Sequence, residues 1–366
     1  MIELTPGMDF RQPGLRREVF HRFYSFHLRH RSHPGGVYYL LPHLAERLGW
    51  DAEQALWFAF LNGNTQHPIT SLLLHQAGPG PAHADQLLGF WRRNYGRLGF
   101  DTDRRYHKKH LDKAVAGYLT NLAGAPQLDY WTAAAGDGFA GVWTAARAIP
   151  TFGRLSAFSF AEYLKITLDG LRLPRPAGFD CDTLMLDDHT GSKSHRNGLC
   201  KVLGLDALDW HPSNPNFDGH YNPAELQHLT GAAAVLLAEA RQRAWGQPWA
   251  ADVGNFTLES ALCTYKSWHR PNRRYPNVYN DMLHDRIRQS EERWPTADLS
   301  LFWEARAVAL PRALRLEDQP FDPGMVPAKQ NHYLLTGQQV MLDHDDPAFT
   351  NDFQAKVDAH GFGRCR

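Results

Sequence analysis

The sequence predicts a mainly α-helical fold, and three observations carry that prediction. Apolar residues recur at helical spacing through most of the chain. Strand-like alternation of apolar and polar residues is nearly absent, which argues against a βαβ nucleotide-binding fold. One helix start is also written out in full, as Asn222-Pro223-Ala224-Glu225. There Asn222 can cap, Pro223 is pre-set for the first helical position, and Glu225 can reach back to complete a capping box.

Taken in order, the first helix is expected over 15–31, where Leu15, Val19, Phe23 and Phe26 share a face and Pro34-Gly35-Gly36 breaks the pattern. Further helices are expected over 37–48, 52–60, 69–76, 110–122 and 130–146. The helix that Asn222 starts should bury Leu226, Leu229, Ala233, Leu236 and Leu237 before Gly246-Gln247-Pro248 ends it. In "TLESALCTYKSW", Leu258, Leu262 and Tyr265 form an apolar stripe. Beside it stand Glu259, Cys263 and Lys266, where a Glu–Lys pair is either a surface ion pair or a device to position an amine. Pro-rich stretches at 78–81 and 173–178 read as surface connections, and the second is where two lobes would part. The 366 residues then make one large helical domain, with or without a cleft between lobes, ending in an acidic extension over 320–366 around Asp343, Asp345 and Asp346.

Composition narrows the function. With 43% hydrophobic and 21% charged residues, disorder is not the default, and a net charge of +0 means that any nucleic-acid reading must rest on local clusters. No apolar run reaches membrane-spanning length. Cys181, Cys200, Cys263 and Cys365 form no CxxC pair and no secretory segment is apparent, so a reducing, intracellular compartment is expected. Trp and Tyr are abundant mainly as core material, with stacking on bases the lesser use.

Positive charge gathers in three patches. Arg11, Arg16, Arg17, Arg22, Arg29 and Arg31 lie in a run with Glu18 as its only acid. Arg104, Arg105, Lys108 and Lys109 surround Tyr106. In "YKSWHRPNRRYP", Lys266, Arg270, Arg273 and Arg274 alternate with Tyr265, Trp268 and Tyr275, as a nucleic-acid groove requires. The first two patches read equally well as solvated helix faces. Between two helical patterns, Pro150, Thr151, Phe152 and Gly153 make a short turn whose backbone N–H groups suit a phosphate, with Arg154 placed to reinforce them. Many such joints are purely architectural.

The densest chemistry is in "LMLDDHTGSKSHRNGLC". Ser192 is a candidate cap, and Lys193 and Arg196, three apart, could hold one pyrophosphate between them on one helix face. Asp187 and Asp188 beside those cations could act as base, nucleophile or metal ligand, or as an exposed cap. Cys181, His189, His195 and Cys200 fit no standard zinc spacing, and Cys200 reads as core. "GSKS" lacks the upstream glycine and strand of a P-loop.

The motifs "FHRFYSFHLRHRSHPGGVYYL", "LNGNTQHPITSLLL", "IPTFGRLSAFSFAEYL", "LMLDDHTGSKSHRNGLCKVLGL" and "DVGNFTLESALCTYKSWHRPNRRYPNVYNDML" occur in that order. Together they resemble the bacteriophage α-glutamyl/putrescinyl-thymine pyrophosphorylases, or amino acid:DNA transferases, over about 15–288. The resemblance implies a divergent helical DNA-glycosylase-like fold, with a helix–hairpin–helix at Pro150, Phe152, Gly153 and Arg154 followed by an acidic site at Asp187 or Asp188. It implies an amino acid or polyamine donor acting on 5-pyrophosphoryloxymethyl-uracil in double-stranded phage DNA, in the cytoplasm of an infected host. Base flipping would expose the target. Lys193, His195, Arg196, Lys266 and Arg274 would bind the pyrophosphate and substrate, and Arg31 or Arg154 a donor carboxylate. Asp187, Asp188 or Glu259 would take the amine proton, and Arg270, Arg273 and Tyr275 would join the hairpin in contacting DNA. No cofactor is certain; Mg2+ is compatible with pyrophosphate, and no protein metal site is expected. Three competing readings are a hydroxymethyluracil DNA kinase, a base-excising glycosylase and a non-catalytic DNA-binding protein.

Overall fold

The structure is a computed structural model that describes residues 12–29, 38–190, 193–210, 217–269 and 282–309. Among these residues there are helices and turns and no strand. The chain runs through α1 (Pro13–Arg29), α2 (Leu40–Leu48), α3 (Ala52–Thr65), α4 (Pro68–Ala77) and α5 (Ala84–Asn94). A 3-10 turn then leads into the short α6 (Arg105–Lys109), followed by α7 (Leu111–Leu122), α8 (Gln127–Gly136), α9 (Gly138–Arg147) and α10 (Arg154–Gly170). After a long connection come α11 (Ser194–Leu203), α12 (Pro223–Arg243), α13 (Asn255–Tyr265), α14 (Met282–Arg293) and α15 (Ser300–Ala309).

Most boundaries follow the sequence pattern. Asn222 caps α12 through the Glu225 N–H at 2.9 Å, and the Glu225 carboxylate accepts the Asn222 N–H at 2.8 Å. Asp51 and Gln54 form the equivalent box on α3. The helix expected over 130–146 is instead two, α8 and α9. Gly138 sits at φ 75°, a left-handed conformation that glycine adopts cheaply and that ends one helix before the next begins. Helical periodicity continues across that break, so apolar spacing alone could not reveal it.

Buried apolar side chains fall into two clusters. One is built by α2 to α10 with α14 and α15, around Trp57, Phe60, Tyr118, Trp131 and Phe160. The other joins α1 to α11, α12 and α13, around Phe20, Leu199, Leu229, Leu262 and Tyr265. Phe256 of α13 packs against Phe139 and Phe158 and so ties the second group of helices to the first. α11 lies directly against α13 because position 198 is glycine: a Cβ there would come within 2.0 Å of the Leu262 carbonyl oxygen. That close approach presses the N-terminal end of α11 onto Glu259.

A buried cluster of arginines and carboxylates as candidate active site

The turn between α9 and α10 carries the first part of the site. Thr151 adopts φ 78°, a strained conformation for a β-branched residue. Its hydroxyl lies 3.3 Å from His107 Nδ1, and His107 Nε2 lies 2.8 Å from the Ser156 hydroxyl, so α6 braces the turn. Arg147 Nη1 donates to the Phe152 carbonyl at 2.7 Å. Gly153 is exposed at the N-terminus of α10, which has no side-chain cap. Pro150 lies over Gly117, where a Cβ would meet its ring at 2.1 Å. Phe152 is buried, stacked with Phe60 and edge-on to Phe160, so its side chain is core rather than surface.

Arg154 overturns its expected place beside that turn. Its side chain is 1% exposed and points inward, donating to the Leu184 carbonyl at 2.8 Å and to His195 Nε2 at 2.8 Å. Its Nη1 lies 3.4 Å from Glu259 Oε1. Helix burial of the stem explains the reversal: the α10 face that carries Arg154 faces α11 and α13 rather than water. Because His195 Nε2 accepts from arginine, the ring proton sits on Nδ1, which is 3.6 Å from the same Glu259 oxygen. Burial, and then the nearby charges of Arg154, Arg196 and Lys266, hold His195 well below the ordinary histidine range, so it is neutral. Arg154, His195 and Glu259 therefore form a buried triad, in which His195 Nδ1 and Arg154 Nε make no hydrogen bond among the described residues. The expected Glu259–Lys266 pair is not its partner: Lys266 is hydrogen-bonded to the Ser194 hydroxyl.

Arg196 lies beside this triad, also 1% exposed. Its Nη1 donates to His189 Nδ1 at 3.0 Å and its guanidinium lies 5.4 Å from the Tyr221 ring centroid. Nε and Nη2 have no hydrogen-bond partner among the described residues. Burial weakens its hold on the proton and the charge of Arg154 adds to this, while Asp188 opposes it. Lys193 does not share a helix face with Arg196, because it is the N-cap residue of α11. Its ammonium lies 5.0 Å from the Trp210 ring and beside Gly219, so both cations reach the 217–221 segment by different routes.

The two aspartates separate. Asp187 is exposed and makes no hydrogen bond or ion pair among the described residues. Asp188 is half-buried; its Oδ1 accepts the Thr190 N–H at 2.9 Å and hydroxyl at 2.5 Å, and its Oδ2 lies 3.8 Å from Arg147 Nε. Its charge is felt by both Arg154 and Arg196. The structure thus brings together Asp188, Lys193, His195, Arg196, Arg154, Glu259 and Lys266. Arg31, Arg270, Arg273, Arg274, Tyr275 and Ser192 lie outside the described residues, as does 320–366. Cys200 is core, its thiol pushed up to about 12 by burial. No group of three histidine, cysteine or acidic side chains is placed to hold a metal among the described residues.

Sequence reasoning missed Arg147, His189 as an arginine partner, and Tyr221. Arg147 precedes the turn by three residues and was available as a charge next to it, but Tyr221 has only its place before the Asn222 cap and no chemical signal.

The first basic patch is also resolved. Arg16 pairs with Asp206, Arg17 and His21 with Glu239, and Arg22 with Glu18, all between 2.6 and 3.1 Å. Asp206 and Glu239 come from distant parts of the chain while Glu18 lies on α1 itself, so the described part of the patch is neutralised structure. Arg104 of the second patch is fully buried, donating to the Gly63 carbonyl at 3.0 Å.

The helical frame thus gathers four cations, Arg154, Lys193, Arg196 and Lys266, and two carboxylates, Asp188 and Glu259, around the N-terminal ends of α10 and α11, an arrangement complementary to an anionic group. The chain belongs to the amino acid:DNA transferase family, whose model matches residues 37–274. It is a transferase that acts on DNA with amino acids. It is similar to a serinyltransferase of Salmonella phage ViI, with 28% identity over 311 residues that cover 80% of this chain and 72% of the relative. No solved structure matches the chain. Among the described residues no helix is long and apolar enough to cross a membrane.

Proposed function

We propose that the chain joins the amino group of an amino acid to the 5-methylene of 5-pyrophosphoryloxymethyl-uracil in double-stranded phage DNA and releases pyrophosphate. The amine lone pair forms the C–N bond, the C–O bond breaks, and its electrons leave with pyrophosphate. The proton lost by nitrogen passes to Asp188 Oδ2, the carboxylate that is open to the site and held by Thr190. The observation that carries this reading is Arg196, a buried guanidinium beside Lys193 whose Nε and Nη2 have no partner among the described residues. Charge that develops on a departing pyrophosphate is stabilised there without reorganisation. Lys266 adds charge from the other side.

Arg154, His195 and Glu259 act as positioning residues in this scheme, since they are occupied with one another. The donor is an amino acid, and serine is the first to test because the phage relative bears that name. A polyamine is the second donor class. The fold is a DNA-glycosylase-like domain of two lobes, in which the α9–α10 turn acts as a hairpin on the phosphate backbone and the target base leaves the stack. The α10 N-terminus, without a side-chain cap and preceded by exposed Gly153, supports that role through the backbone N–H groups of its first turn.

The test is turnover on DNA that carries the pyrophosphorylated base, with a pool of amino acids and polyamines, followed by digestion to nucleosides and mass spectrometry. An amine-substituted nucleoside with free pyrophosphate is expected. Unchanged base in a folded protein that binds the DNA overturns the reading, and an abasic site replaces it with excision. Asp188→Asn should lower the rate by about 10²–10⁴-fold, the usual contribution of a general base. Asp187→Asn should leave it within about threefold.

A further inference from the structure

The second basic patch remains outside the chemistry of the site. A cavity of about 400 Å³ opens beside α6 and is lined by Arg105, Lys108, Lys109 and Arg293, with Tyr95 and Phe100 among its walls. Among the described residues no carboxylate lines it: Asp101 is ion-paired with Arg286, and Asp103 and Glu292 are not part of the wall. Lys108 is the interior cation. It donates to the Leu98 carbonyl at 2.7 Å and lies 4.9 Å from the Tyr95 ring centroid. Arg105, Lys109 and Arg293 are exposed, and their charged groups have no partner among the described residues.

Positive charge also continues past the cavity. Arg92 and Arg93 occupy the last turn of α5, and Arg97 lies 3.7 Å from the Trp294 ring centroid with its hydrogen bonds on the Arg293 carbonyl. Uncompensated like charges repel, and a pocket that keeps several of them is complementary to a polyanion. A small anion would need only the cavity. A run of cations that continues from it through Arg97 to the end of α5 matches an extended one.

The helix that forms this pocket is also tied to the site. His107, directly before Lys108, holds Thr151 of the turn and Ser156 of α10. Asp103, two residues before Arg105, is close enough to Cys263 of α13 for its charge to be felt there. The pocket therefore flanks the candidate active site along the α6 surface.

We infer that the Arg105–Lys108–Lys109–Arg293 pocket is a second DNA contact, which holds the phosphodiester backbone of the duplex that flanks the reacting base. It reads no sequence, since its cations meet phosphates. The inference rests on DNA as the substrate and not on the identity of the leaving group.

Binding of the full chain to an unmodified duplex, measured as a function of salt, tests this without turnover. Each phosphate contact contributes about 0.9 to the slope of log K against log salt. Arg105→Gln with Lys109→Gln should reduce the slope by about 2 and weaken all sequences alike. The charge-conserving Arg105→Lys with Lys109→Arg should keep it. An unchanged slope in the glutamine variant overturns the inference, and so does an equal loss in both variants. A raised KM for the amino acid with DNA binding intact would make the pocket a donor site instead, which also overturns it. Failure of pyrophosphate release in the turnover assay leaves this binding result standing.

Discussion

Helix α1 delivers Arg16, Arg17, His21 and Arg22 to the side of α11 and α12, whereas α6 delivers Arg105, Lys108 and Lys109 to an open cavity. In α1 each of those four meets a carboxylate: Asp206 and Glu239 are brought from other parts of the chain, and Glu18 lies on α1 itself. Around α6 the one carboxylate in an ion pair among the described residues, Asp101, is engaged by Arg286. Two runs that look alike in sequence thus differ in whether folding brings acids to them. The lesson is that a basic run becomes a candidate binding surface only when the tertiary structure leaves it unneutralised.

That contrast can be broken or sharpened by removing partners, beginning where burial is greatest. Glu259→Ala leaves Arg154 buried without its carboxylate, and should cost about 3–5 kcal/mol of stability in urea unfolding, the usual result of breaking a buried pair. A loss below about 1 kcal/mol would mean that water reaches the pair and that it behaves as a surface bridge.

Acid should act next. Burial pushes His67 and His107 down to about 3, with Arg286 lowering the first further and Arg104 the second. Their folded values lie below the unfolded one, so the unfolded chain binds more protons in between. Stability from these groups is full above about pH 6.5 and is lost as pH falls toward about 3, on the order of 1.4 kcal/mol per pH unit for each histidine. Urea midpoints at about pH 7 and about pH 5 measure that slope, and His107→Gln should make it shallower.

The smallest effects separate the two basic patches themselves. Arg17→Gln removes a surface pair with Glu239 and should cost less than about 1 kcal/mol. Arg105→Gln with Lys109→Gln removes no pair and should change thermal unfolding stability by no more than about 0.5 kcal/mol, while it alters the salt dependence of DNA binding. A large destabilisation by the second variant would put α6 in the same class as α1.

Much of the frame was legible in the sequence. The Asn222-Pro223-Ala224-Glu225 cap, the stripe of Leu258, Leu262 and Tyr265, and the burial of Cys200 are local consequences of spacing and side-chain chemistry. So is the concentration of Asp188, Lys193, His195 and Arg196 within nine residues. The break at Gly138 was not legible, because the apolar pattern runs through it. Nor was the inward turn of Arg154, which the adjacent Pro150 to Gly153 turn made look like a phosphate contact.

What the sequence by itself determined was the helical class, the family resemblance and the region that holds the charged residues, since each of these depends on neighbours along the chain. Only the tertiary structure decided which charges work together. It set Asp188 facing the cations and Asp187 facing water, drew Arg154, His195 and Glu259 into one triad, and left two nitrogens of Arg196 unpartnered among the described residues. The physical reason is that electrostatic and hydrogen-bond partners are chosen by distance and burial. Residues 154, 195 and 259 become neighbours only when Gly198 lets α11 close against α13.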